Sequence, residues 1–148
     1  MTYQVKKNIV MLISSILIFG VYSWFLFQEF HQRSMESTEM LVFFATGILI
    51  LIPINIAATI VIHILFNIIN TITTSEKEPS FTDELDKIIE LKALKIGHFI
   101  FIIGFVIALL SIVWGASPTL MFIILYVSGF ISDISGNITS LYLYSKGV

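Results

Sequence analysis

Asp133 is the one acidic residue inside the long apolar stretch Thr119 to Tyr144. An ionisable side chain in hydrocarbon is costly, and by default it marks a function. At about 1.5 Å of helix rise per residue, counting inward from Thr119 places Asp133 slightly to the inner side of a bilayer midplane. Counting from Met40 brings Asn55 to that depth, and counting from Asn8 brings Ser14 and Ser15 there. A shared polar layer of Asp133, Asn55 and a serine is therefore geometrically open. Its chemistry would be that of a proton- or cation-linked carboxylate. The structural alternative is a protonated aspartic acid hydrogen-bonded between helices and holding them together.

A second set of polar groups runs along one helix. Asn55, Thr59, His63, Asn67 and Asn70 fall within a sector of roughly 120° at helical spacing. Such a stripe either lines a hydrated vestibule or forms a seam of interhelical hydrogen bonds, each worth only about 0.6 kcal/mol. Pro53 precedes it and should bend the helix by freeing a carbonyl one turn earlier. His63 and His98 lie near the inner boundary, and with Asp133 they contain the residue types of a metal site. They have no motif spacing, so no metal is expected. Asn137 completes the intramembrane polar candidates; its Asn-Ile-Thr glycosylation match lies inside an apolar span and has no meaning there.

The elements that must position these groups follow from composition. Of 148 residues, 57% are hydrophobic and 12% charged. A soluble domain of this size cannot hide so much apolar surface, because the buried share falls as chains shorten. The surplus faces lipid. Membrane helices need about twenty apolar residues, which places spans at about 8–28, 40–70, 96–115 and 119–144, with turn residues Gly115-Ala116-Ser117-Pro118 between the last two. Each must be helical, since lipid offers no partner to a free amide. With the N-terminus inside, Lys6, Lys7, Lys77, Lys87, Lys92, Lys95 and Lys146 are inside and Arg33 alone is outside. That asymmetry sets the orientation, and it puts Trp24 and Trp114 at the outer interface. The expected fold is all-α: an integral membrane four-helix bundle of two antiparallel hairpins, N-in and C-in, in a cell membrane. Small residues at four-residue steps, Ser128, Ser132, Gly136 and Ser140 in the last span and Gly104 and Ala108 in the third, should let those two backbones approach closely.

The one sizeable extramembrane piece is 73–95. Its first part is a polar linker; Thr82 can cap a following helix whose start is acidic. Phe81, Leu85, Ile88 and Leu91 or Lys92 repeat at helical spacing, which predicts a short amphipathic cytoplasmic helix, with Phe81, Leu85 and Ile88 as its buried edge, running into the third span. Asp83, Asp86 and Glu90 share a face with Lys87. That face is either a docking surface for a cytoplasmic protein partner or a solvated face with an Asp83–Lys87 pair.

Asp83-Glu84-Leu85-Asp86-Lys87-Ile88-Ile89-Glu90-Leu91-Lys92-Ala93 resembles the D-E-R-D-x-x-I-E-x-K-A segment of a family of uncharacterised bacterial and archaeal four-span membrane proteins. Leu85 stands where that family has arginine, and the likeness covers somewhat under half the chain. Members are often encoded beside small helix-turn-helix regulators, so the resemblance implies a membrane-bound regulatory or immunity role. Gly-rich phosphate loops, nucleophile elbows and His-Glu-x-x-His motifs are all missing, and there is no cysteine. No enzymatic activity and no cofactor are expected, and a net charge of −2 gives no field for nucleic acid. The first expectation is a non-enzymatic regulatory, anchoring or immunity protein acting through partners. The second is a proton- or cation-coupled transporter or channel using Asp133, for which four spans favour a homo-oligomer.

Overall fold

The computed structural model describes residues 3–32, 37–74 and 84–146. They form four helices: α1 (Tyr3–Gln32), α2 (Ser37–Thr74), α3 (Glu84–Val113) and α4 (Pro118–Lys146). All four are long and apolar enough to cross a membrane, which makes this a multi-pass membrane protein by length and composition. The helices overrun the apolar stretches that define the expected spans, because lipid is not needed to continue a helix past its apolar core. The second is 38 residues long and continues through Pro53 as one helix.

The joint between α3 and α4 is a matched stop and start. Gly115 has φ of 83°, the left-handed region that a residue without Cβ enters without strain. Its amide donates to the Ile112 carbonyl at 2.9 Å and the Ala116 amide donates to the Ser111 carbonyl at 2.9 Å, the paired bonds of a Schellman termination. Ser117 then caps α4: its Oγ accepts the Leu120 amide at 3.3 Å, and Pro118 fills the first helical position, where its missing amide hydrogen costs nothing.

Contacts pair opposite ends along the chain. Tyr3 of α1 meets Phe66 of α2 (5.4 Å between ring centroids), while Phe30 meets Phe44 (5.1 Å). Phe19 stacks on Phe130 of α4 at 3.8 Å, and Ser23 shares a 2.8 Å hydrogen bond with Tyr126. On α3 and α4, Ala93 faces Gly136 and Gly97 faces Ser132. The start of α1 thus lies beside the later part of α2, and the start of α3 beside the later part of α4; the helix ends at Tyr3 and Lys146 mark the termini end.

Packing is uneven. Among the described residues α3 packs its backbone on α4 alone, whereas α1, α2 and α4 meet one another. The α3–α4 seam is built on small residues. Ser132 Oγ donates to the Gly97 carbonyl at 2.8 Å, and Gly104 lies so close to Ser128 that a Cβ there would fall on the serine side chain. The buried residues of α3 are Ile89, Ala93, Gly97, Gly104, Ala108 and Ser111.

That seam corrects one expectation. Leu85 and Ile88 do not form a buried edge: they are 38% and 47% exposed, as Leu91 is at 65%, whereas Ile89 is 0%. The segment from Glu84 is continuous with α3, and its orientation follows the small residues rather than the large ones. Ala93, Gly97, Gly104 and Ala108 allow close backbone contact with α4, and because α3 is one continuous helix that contact sets the rotation of its first turns as well. Phe81, Thr82, Asp83 and the rest of the 75–83 linker lie outside the described residues, as does Arg33.

Candidate functional site

Asp133 sits near the middle of α4, where α1, α2 and α4 leave a cavity of about 560 Å³. Helical spacing explains which groups reach it. On α1, Lys7, Met11, Ser14, Ser15 and Ile18 line it; on α2, Asn55, Thr59 and His63 recur at four-residue steps; on α4, Asp133 and Asn137 do the same. Ser15 Oγ donates a hydrogen bond to Asp133 Oδ2. The structure therefore brings Asp133, Asn55, Ser14 and Ser15 onto one cavity, the set that depth counting put in one layer.

The span-two stripe is divided between two roles. Its first three members open onto the cavity. Asn67 is half-buried and Asn70 is buried, on the stretch that packs near the termini end beside Phe66 and Tyr3. Asn137 turns partly back on its own helix, its Nδ2 donating to the Asp133 carbonyl at 3.1 Å. Thr139, Ser135 and Ser128 make the same return bond, which satisfies a hydroxyl inside an apolar helix.

The two histidines do not converge. His63 lines the α1–α2–α4 cavity, whereas His98 lies in a second, more open groove of about 530 Å³ between α3 and α4, together with Glu90 and Phe101. Asp133 and Asn137 border both spaces. Among the described residues no group of three His, Cys, Asp or Glu is placed to hold a metal ion.

The acidic face is also divided. Asp83 lies outside the described residues. Asp86 turns onto the molecule itself: Gln4 Nε2 donates to its Oδ2 at 3.4 Å, and the Tyr144 hydroxyl hydrogen-bonds to it. It shares the inward side of α3 with Ile89, and this follows from the same rotation that exposes Leu85. Glu84 and Glu90 remain exposed, with Glu90 at the mouth of the α3–α4 groove. The link between Asp86, Gln4 and Tyr144 ties α1, α3 and α4 at the termini end. No signal in the sequence pairs those three residues, because the pairing depends on how α3 is rotated against α4.

Neither a family model, a curated protein nor a solved structure gives a significant match to this chain.

Proposed function

We propose that this protein is a proton- or cation-linked membrane protein whose working group is Asp133. The observation that carries the reading is the cavity of about 560 Å³ that reaches Asp133 from between α1, α2 and α4, with Ser15, Asn55, Thr59 and His63 on its walls. A carboxylate that only holds helices together needs a dry contact, whereas one that exchanges an ion needs space and polar neighbours. No enzymatic step belongs to this reading.

In membrane terms the four helices form an antiparallel bundle of two hairpins. The termini end faces the cytoplasm, because seven lysines belong to that side against Arg33 on the other. The chain has no cysteine, so single cysteines replacing Ser80 and Ser117 report sidedness cleanly. An impermeant thiol reagent on intact cells is expected to label the Ser117 position and leave the Ser80 position unlabelled; the opposite pattern inverts the topology.

The functional test uses purified protein in liposomes carrying an internal pH dye, with an imposed potassium diffusion potential. Wild type is expected to dissipate the resulting proton drive, or a sodium-coupled version of it, and Asp133→Asn is expected to lose that flux while remaining folded. Equal flux from both proteins sinks the reading. The partner-based alternative, a regulator or anchor docking a cytoplasmic protein on α3, draws support from the exposure of Glu84 and Glu90 and from the resemblance at 83–93. It loses Asp86, which is engaged within the chain. Under that alternative Asp133→Asn leaves cellular activity intact and Glu84→Gln with Glu90→Gln abolishes it.

A further inference from the structure

We infer that the cavity at Asp133 takes an organic amine in its ammonium form, one that keeps N–H donors and carries a modest apolar body. This inference rests on the cation-linked reading of Asp133 and assigns the class of cation.

Size is the first argument. About 560 Å³ lies within the range of roughly 300–1,000 Å³ typical of small-molecule sites, far more than a bare ion fills. The donor set is the second. Transition-metal ions need several converging ligands, and the described residues place no group of three His, Cys, Asp or Glu to hold one. The third is the mixture on the walls. Asn55, Thr59 and Ser15 alternate with Met11, Ile18 and Ile60, so a ligand seated here meets both acceptors and aliphatic surface.

The type of ammonium follows from what the walls lack. Quaternary ammonium ions are recognised by aromatic faces, and none of the cavity's described lining residues is aromatic apart from the imidazole of His63. A primary or secondary ammonium instead donates hydrogen bonds. Asp133 can accept them: an ionised carboxylate has about four lone-pair sites, and Ser15 occupies one. Such charge-assisted bonds are about twice as strong as neutral ones.

Lys7 also lines the cavity. It stands eight residues from Ser15 along α1, about 12 Å by helix rise. A long aliphatic stem lets its ammonium turn outward to water or headgroups, which lowers its repulsion of a cation beside Asp133.

The experiment is calorimetric titration of the full chain in nanodiscs with benzylamine and with benzyltrimethylammonium, empty nanodiscs serving as the partitioning blank. Wild type is expected to bind benzylamine saturably. Losing the N–H donors in the quaternary probe, or the carboxylate in Asp133→Asn, should each weaken binding about tenfold or more, the scale of one charge-assisted hydrogen bond. If Asp133→Asn fails to fold, Asn55→Ala and Thr59→Val decide, each with an expected loss of about tenfold, because the ammonium that donates to them is charged. Absence of saturable binding overturns the inference, as do equal affinity for the two probes and variants that bind like wild type. Liposome flux on the same preparations separates the two levels: flux that depends on Asp133 without amine binding removes the amine and leaves the ion-linked reading, whereas loss of both removes both.

Discussion

Gly104→Leu is expected to detach α3 from α4. At Gly104 even a Cβ would fall on the Ser128 side chain, and this neighbour cannot swing away cheaply because its Oγ is bonded to the Ile124 carbonyl at 2.6 Å. Overpacking of a fitted core costs about 1–3 kcal/mol, and α3 has no second helix against which to lay its backbone among the described residues. Each helix would stay inserted, since its own backbone is satisfied within itself, but the pair would part. Cysteines at Ala93 and Gly136, which face each other across the seam, should cross-link in the parent and fail to do so with Leu at position 104. Gly20 is the control, because nothing lies within 4 Å of a Cβ built there. Gly20→Leu should leave cross-linking unchanged and raise helix stability by just under about 1 kcal/mol through propensity alone. Undiminished cross-linking in Gly104→Leu would show that the seam tolerates bulk.

Asp133→Asn and Asp133→Leu should separate folding from function at one position. The asparagine keeps an acceptor for the Ser15 hydroxyl, so melting in detergent should be unchanged, while proton-driven flux falls to the background of empty liposomes. Leucine strands that hydroxyl. Interhelical hydrogen bonds in membranes average about 0.6 kcal/mol, with a maximum near about 1.7, and Ser15 can fall back on the carbonyl one turn earlier in its own helix. The expected loss of stability for Asp133→Leu is therefore about 1 kcal/mol, not collapse, and Ser15→Ala should lower stability by a similar amount. A wild-type-like flux in Asp133→Leu would remove any role for a titratable group here.

Much of this arrangement is legible in the order of the amino acids, for reasons particular to membranes. Long uncharged runs force helices, so the four helices follow from counting. Depth along a helix is a linear quantity, which is how Asp133, Asn55, Ser14 and Ser15 fall at one level and then on one cavity. The turn at Gly115-Ala116-Ser117-Pro118 carries its own chemistry. Rotation is the part that escapes. In water, the apolar face of a helix announces its buried side; in lipid that signal vanishes along the span, and the rotation that the small residues set carries through the continuous α3 to Leu85, Ile88 and Leu91, which lie exposed while Ala93 and Gly97 are buried. The same loss hides the placing of His63 and His98 in separate spaces and the turn of Asp86 towards Gln4 and Tyr144. Small residues, not large ones, are the guide to azimuth in such a chain.

The length of α2 has a consequence for where the molecule can reside. From Met40 to Thr74 this helix carries no charge, a run of about 50 Å by helix rise, set against a hydrocarbon thickness of about 30 Å. Such a surplus is relieved by leaning, by stretching the surrounding acyl chains, or by standing proud of the headgroups, each at a fraction of a kcal/mol per Å of mismatch. Because α2 supplies one wall of the space that reaches Asp133, any change in its lean alters the width of that space. Lipid chain length thereby becomes a control variable: reconstitution in thick bilayers should hold α2 upright, and short-chain lipids should tip it and reshape the opening beside Asn55 and Thr59.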